Sequence, residues 1–241
     1  MYTRSAKIYD AIYRAVGKDY AAEAEKLQAL IRQHKQSSGH SLLDVGCGTG
    51  GHLAYLSGRF SVEGLDSSDM MLAEAKEKYP GVPFHLADMA DFELHCRFDV
   101  ITCLFSAIGY VRTLRRLSQA IRTFATHLLP GGVILVEPWF GPGVLDTGKI
   151  HAVFVDEPQL KIARISMNKV EGRLSHLDFH YLVGTPDGIE SFRETAALGL
   201  FTDDEYQQAF KGAGLRVIHD EAGLDGRGLY IGIQQSEKVT S

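Results

Sequence analysis

The ten residues LLDVGCGTGG, Leu42 to Gly51, force a buried strand to run directly into a glycine-rich turn and then a helix. Leu42, Leu43 and Val45 supply the apolar strand. Glycines at 46, 48, 50 and 51 let the backbone turn tightly and come close to a ligand. The same residues satisfy GxGxxG as Gly46, Gly48 and Gly51, a pattern shared by nicotinamide and flavin enzymes and weak when it stands alone. A tight strand-to-helix turn with no ligand would look the same, so the meaning of the loop depends on its companions.

Around the loop, apolar runs alternate with helical patterns. Ala21, Ala24, Leu27, Leu30 and Ile31 predict a leading helix over 19–35, stopped by Ser37-Ser38-Gly39. Then follow strand 41–46, helix 51–58, strand 61–66, helix 68–79, strands 82–86 and 98–104, and helix 114–128. A buried fifth strand, 133–137, is expected beyond a break at Pro130-Gly131-Gly132. Thr202 with Glu205 reads as a capping box for helix 203–212, and 215–220 and 228–234 read as closing strands. This rhythm predicts an α/β fold, doubly wound, with a mostly parallel seven-stranded sheet. Residues 141–200 break it: runs near 150–155, 160–168, 173–183 and 190–199, with turns at Glu171-Gly172 and Pro186-Asp187-Gly188, predict an antiparallel β insertion. The reading is one domain over 1–241, with the insertion lying between strand five and the last helix and forming part of the substrate pocket.

Composition narrows the function. With 241 residues, 45% of them hydrophobic, the chain can bury one sizeable core. A net charge of -5 gives no global attraction to polyanions, so neither nucleic acid nor an anionic membrane is an expected partner. Cys47, Cys96 and Cys103 are odd in number and lack CxxC spacing, which suggests neither a disulfide framework nor structural zinc and suits a reducing cytoplasm. The opening MYTRSAKIYD lacks the apolar core of a signal peptide, and no apolar run approaches the roughly 20 residues that span a bilayer. The edges of an antiparallel insertion need covering, and a homodimer is one way to cover them.

Three acids give the loop its meaning. Asp44 places a carboxylate beside the turn, which suits a ligand with a cationic amino acid end and disfavours a pyrophosphate there. Asp66 ends the second strand, where a carboxylate can accept hydrogen bonds from both hydroxyls of a ribose; its alternative role as a helix cap can fall to Ser67 or Ser68. Asp88-Met89 follows the third strand, where an acid can accept an adenine amino proton and a thioether can pack on the ring. DxGxGxG followed by acids after strands two and three resembles the class I S-adenosylmethionine methyltransferases, over about 17–137 and the last two strands. That resemblance implies S-adenosylmethionine as cofactor, held by Gly46, Cys47, Gly48, Asp66, Asp88, Met89 and Leu104 with Asp44 beside them. A nicotinamide-dependent oxidoreductase is the alternative that Asp44 and Asp88 disfavour, and a sensor that binds the cofactor without turnover is a third.

The segment after strand four, Cys103-Leu104-Phe105-Ser106, lacks the Asn/Asp-Pro-Pro-aromatic motif of enzymes that methylate nucleobase amino groups, and there is no Pro-Cys nucleophile. A small molecule is therefore the expected acceptor, either an amine or a hydroxyl compound. GKDYAAEA (17–24), LLDVGCGTG, ADMADF (87–92), CLFSAIGY (103–110), VEPWF (136–140), HYLV (180–183) and GRGL (226–229) together resemble the sugar N,N-dimethyltransferases of desosamine and mycaminose biosynthesis, which act on thymidine-diphosphate (TDP) 3-amino-deoxyhexoses. Position 46 is Gly where Ala is expected in those relatives. The resemblance implies an enzyme of antibiotic biosynthesis in which Tyr20 reaches the methionyl end of the cofactor and Tyr2 or Tyr110 the sugar; Tyr9, Tyr13 and Tyr20 recur near the N-terminus and can fold over the cofactor as a lid, with apolar packing on one helical face as the alternative for Tyr9 and Tyr13.

A nucleotide sugar brings two negative charges, which a net acidic protein must meet with local arginines. Arg227, set between two glycines, is the best anchor; Arg164 and Ser166 lie in the insertion, and Arg173 beside it reads equally as a turn residue. Trp139, the only tryptophan, follows strand five at the mouth of the sheet, where it could stack on a base or wall the pocket. Methyl transfer from a sulfonium needs an aligned neutral amine and excluded water, with no metal or covalent nucleophile. Tyr110 is thus expected to orient the acceptor first and to act as a base second.

Overall fold

The computed structural model describes residues 2–235. A 3₁₀ turn, Ser5–Ile8, leads into α1 (Tyr9–Ala15) and α2 (Tyr20–His34). The main sheet then forms from β1 (Ser41–Val45), β2 (Ser61–Asp66), β3 (Phe84–Leu86), β4 (Phe98–Cys103) and β5 (Leu128–Val136), with α3 (Leu53–Leu56), α4 (Asp69–Lys78) and α5 (Leu114–Thr126) between them. The insertion supplies β6 (Ile150–Glu157), β7 (Leu160–Glu171), β8 (Leu174–Thr185) and β9 (Gly188–Gly199). α6 (Asp203–Gly212), β10 (Arg216–Asp220) and β11 (Leu229–Ile233) close the sheet.

The strand order is β10-β11-β5-β4-β1-β2-β3, parallel except where β11 runs against both β5 and β10. The order reverses at β1, which pairs β2 on one side and β4 on the other. That switch point opens a crevice at the strands' carboxyl ends. Both sheet faces are buried, which explains the unbroken apolar runs. Leu42, Val100 and Leu135 meet Leu27, Ile31, Leu53 and Leu56 of α2 and α3. Leu43, Ile101 and Ile134 meet Leu117, Ile121, Phe124 and Phe210 of α5 and α6.

Thr202 and Glu205 form both arms of the expected capping box of α6. Two expectations need correction. The helix expected over 51–58 is only Leu53–Leu56: Gly50 at φ +82° cannot join a right-handed helix, and the ring of Tyr20 covers Gly51. Pro130-Gly131-Gly132 is no break, because β5 runs through it from Leu128. Gly131, at φ +78°, donates to the carbonyl of Gln234 and accepts from Gln36 and Ser37, and the β4–β5 register shifts beside it.

The insertion is a meander of four antiparallel strands in chain order. Its inner face (Val153, Val155, Ile162, Phe179, Tyr181, Val183, Ala196 and Leu198) packs on Ile8, Ala11 and Ile12 of the N-terminal segment.

Candidate functional site

A cavity of about 410 Å³ opens at the switch point. Gly46 and Gly48 of the loop, Asp66 after β2, Asp88 and Met89 after β3, and Leu104 after β4 line one side. Tyr2, Tyr9 and Tyr13 come from the N-terminal segment, Tyr110 from the 3₁₀ helix Ala107–Val111, and Leu177, Phe179 and Leu198 from the insertion. Trp139 and Arg227 complete the other side.

The loop suits a ligand laid against bare backbone. Gly48 sits at φ +55°, and a Cβ there would meet no protein atom within 4 Å. Asp66 staples the loop: Oδ2 accepts from the Gly48 N–H at 2.9 Å, and Oδ1 accepts from the Ser68 N–H at 2.9 Å. Ser68 caps α4 through its own hydroxyl, as the sequence allowed. Burial raises the Asp66 carboxyl above the usual range against these donors. Glycine backbone with two lining acids, Asp66 and Asp88, fits an adenosyl group whose ribose and amino hydrogens need acceptors.

Asp44 is placed differently from its expected position beside the ligand. Its side chain is buried in β1 behind the loop, accepts from Thr102 Oγ1 at 2.8 Å and does not line the cavity; burial pushes its pKa up to about 6. Cys47 also turns away, its sulfur lying toward Gly64. Tyr20 packs on Gly51 and edge-on against His52, outside the cavity lining. Asp88 faces the cavity with a partner the sequence did not reveal: Arg116 of α5, whose Nη2 donates to both carboxylate oxygens at 2.7 and 2.6 Å.

After β4, Phe105 and Ser106 both take left-handed backbone, at φ 50° and 60°. Such residues cost roughly 1–2 kcal/mol each, so surrounding contacts must hold the turn. The Phe105 N–H donates to Glu137 Oε2 at 2.6 Å, and Ser106 Oγ donates to the carbonyl of Pro138 at 2.7 Å. Just beyond, the hydroxyls of Tyr110 and Tyr2 lie 2.9 Å apart. Burial drives both phenols well above the ordinary tyrosine pKa, so they stay protonated. Among the described residues no histidine lines the cavity.

Arg227 lines the cavity with its side chain 16% exposed. It is already paired: Nη2 donates to Glu137 Oε1 at 2.7 Å, and Nε donates to Asp225 Oδ1 at 3.0 Å. Trp139 walls the cavity, and its buried Nε1 has no hydrogen-bond partner among the described residues. Arg164 and Ser166 stand outside the lining: Arg164 is 5.6 Å over the Tyr13 ring and 5.5 Å over that of Phe179, and Ser166 is buried in β7. Arg173 bonds Glu205 and the Leu200 carbonyl, anchoring α6. The N-terminal segment is tied down at both ends: Glu194 accepts the N–H groups of Arg4 and Ser5, and Asp10 binds Thr49 Oγ1 at 2.6 Å and Lys78. Sequence reading missed Arg116, Glu137, Asp10 and Glu194. Each is a lone charge whose partner lies 28 to 190 residues away.

A family profile described as a methyltransferase domain matches residues 42–132. The chain is 42% identical over 237 residues to a dTDP-3-amino-3,6-dideoxy-alpha-D-glucopyranose N,N-dimethyltransferase of Streptomyces fradiae, covering 98% of this chain and 92% of that protein. It is also 42% identical over 230 residues to a dTDP-4-amino-2,3,4,6-tetradeoxy-D-glucose N,N-dimethyltransferase of Saccharopolyspora spinosa, covering 95% and 92%. Among solved structures, SAM-bound CalS10, an amino pentose methyltransferase from Micromonospora echinaspora, superposes with a TM-score of 0.84 at 38% identity, covering 95% and 97%. With these identities extending over nearly the whole of both chains, the protein belongs to the S-adenosylmethionine-dependent sugar N,N-dimethyltransferases of the class I methyltransferase fold.

Proposed function

We propose that this chain N,N-dimethylates the 3-amino group of a TDP-activated amino-deoxysugar, with S-adenosylmethionine as methyl donor. One arrangement carries the reading: a single cavity joins the Gly46–Asp66–Asp88 wall to Arg227 and the Tyr2–Tyr110 pair. When bound, the cofactor supplies a methyl group on a sulfonium, whose departure leaves a neutral thioether. Asp66 would accept from the ribose, Asp88 from the adenine amino group, and Met89 would pack on the ring. Arg227 would meet the pyrophosphate, Trp139 would wall the pocket or stack on the base, and the protonated Tyr110–Tyr2 pair would orient the sugar. Tyr9 and Tyr13 roof the cavity and help exclude water. The phenols are too weakly acidic to be ionised, so the amine's proton leaves to solvent before attack and Tyr110 works by alignment.

The test is TDP affinity by calorimetry: Arg227→Ala should weaken it by ~10-fold or more while leaving S-adenosylhomocysteine affinity nearly unchanged. Equal TDP affinity in variant and parent overturns the pyrophosphate assignment.

We also propose a homodimer in the cytoplasm. Ile150, Phe154, Ile165, Met167 and Leu182 share the outer face of the insertion and are exposed, Phe154 by 67%. On the same face the pairs Lys161–Asp156 and Arg193–Asp178 leave charges balanced for a second copy. Cys47, Cys96 and Cys103 are free, and no helix among the described residues is long and apolar enough to cross a membrane. Phe154→Asp should shift sedimentation from dimer to monomer; a parent that sediments as a monomer refutes the dimer.

A further inference from the structure

We infer that Glu137 is a positioning residue that sets the acceptor-side arginine and the cofactor-side turn together, through the two oxygens of one buried carboxylate. It rests on the assignment of Arg227 to the pyrophosphate. Glu137 follows the last residue of β5, is fully buried and does not line the cavity, so it acts only through the groups it holds. Its backbone N–H donates to the Cys103 carbonyl at 2.9 Å, which locks the ends of β4 and β5 side by side. Oε2 then accepts the Phe105 N–H at 2.6 Å, and Oε1 accepts from Arg227 at 2.7 Å.

Both held groups face the cavity. Phe105 and Ser106 are the left-handed pair whose backbone needs outside support, and Glu137 with the Pro138 carbonyl supplies it. Arg227 is long and flexible; Glu137 gives it a buried partner, whereas Asp225 lies in the loop before it and is half-exposed. The face of Phe105 also carries two cations: Lys18 Nζ at 3.9 Å and the Arg227 guanidinium at 5.6 Å. Lys18 is itself buried against Glu23, which binds His52 next to the loop. Glu137 therefore sits where the acceptor wall, the cofactor wall and this buried ion network meet.

Both groups that Glu137 holds are donors, and the Asp225 carboxylate beside it, which together with burial raises the Glu137 carboxyl, is bridged to it by the Arg227 guanidinium, so a carboxylate suits the place. An amide has one acceptor oxygen and two donating hydrogens, so glutamine must surrender one contact. The Phe105 N–H is fixed by backbone, while Arg227 already bonds Asp225 and can stay with that half-exposed partner alone. Glutamine therefore keeps the turn and releases the arginine, and alanine loses both.

The experiment measures Kd for TDP and for S-adenosylhomocysteine by calorimetry in the parent, Glu137→Gln, Glu137→Ala, Arg227→Ala and the Glu137→Gln/Arg227→Ala double variant. Glu137→Gln should weaken TDP ~10-fold and change S-adenosylhomocysteine by less than ~2-fold; Glu137→Ala should weaken both by ~10-fold. In the double variant the glutamine should add nothing to the loss of TDP affinity. Additive losses there, or parent-like affinities in both Glu137 variants with only a lowered melting temperature, overturn the inference. Should Glu137→Ala fail to fold, Ser106→Ala removes only the second clasp of the turn: weakened S-adenosylhomocysteine with unchanged TDP supports the inference, and unchanged S-adenosylhomocysteine overturns the role given to the turn. If Arg227→Ala alone leaves TDP affinity unchanged, the pyrophosphate assignment fails; the glutamate-to-turn half is then still decided by Glu137→Ala and S-adenosylhomocysteine.

Discussion

Replacing Asp66 by alanine removes the carboxylate that staples the glycine loop at the cavity. Its two oxygens each take one backbone N–H, Gly48 and Ser68, at 2.9 Å, and the side chain still lines the cavity. A ribose diol would add two hydrogen bonds to a charged acceptor, each worth about 1.5–3 kcal/mol before water replaces it. Allowing for that replacement, and for a Gly48 no longer held, a net loss of about 3 kcal/mol is expected, or ~100-fold in Kd. Calorimetric titration with S-adenosylhomocysteine reads this directly. Asp66→Asn keeps one acceptor and should fall between variant and parent. Because burial raises the Asp66 carboxyl, affinity should also weaken as pH falls, starting at a higher pH than an ordinary aspartate would give, and this dependence should vanish in Asp66→Asn. An alanine variant that binds within ~2-fold of the parent would refute the ribose assignment.

Two more perturbations follow from the same structure. Asp44, pushed up to about 6 by burial, binds its proton more tightly folded than unfolded, so its contribution to stability is lost as pH rises from the unfolded value near 4 to about 6. Asp44→Asn should gain on the parent between pH 4 and pH 8 in urea unfolding, by at most about 3 kcal/mol; a constant difference would contradict the buried, strained carboxylate. Thr202→Ala breaks one arm of the α6 capping box and should cost about 1 kcal/mol in urea unfolding with turnover unaffected, and no loss would mean that Glu205 alone holds the helix start.

What the sequence made legible was local. The loop and the acids after β2 and β3 announce themselves because glycine spacing and strand ends are read along the chain, and the capping box spans only four residues. The break expected at Pro130-Gly131-Gly132 failed because Gly131 is held within the sheet by Gln36, Ser37 and Gln234, partners no local pattern reveals. Phe105 and Ser106 adopt left-handed backbone with no glycine to signal it, since Glu137, more than thirty residues on, supplies the support. Asp44 precedes the loop in sequence, yet its side chain is turned onto Thr102 and away from the cavity, a direction that the spacing to the glycines does not reveal. The flanking glycines single out Arg227, which lines the cavity, but do not reveal the carboxylates that already hold it.

The acceptor defines the reaction. Incubating the protein with S-adenosylmethionine and a panel of TDP-activated sugars carrying the amino group at C3 or at C4, followed by mass spectrometry, tests it most directly. The expected result is stepwise addition of one and then two methyl groups to a 3-amino sugar. Methylation of the 4-amino sugars alone would move the nitrogen, and a panel left unmethylated by a protein that binds S-adenosylhomocysteine would contradict the amino-sugar assignment.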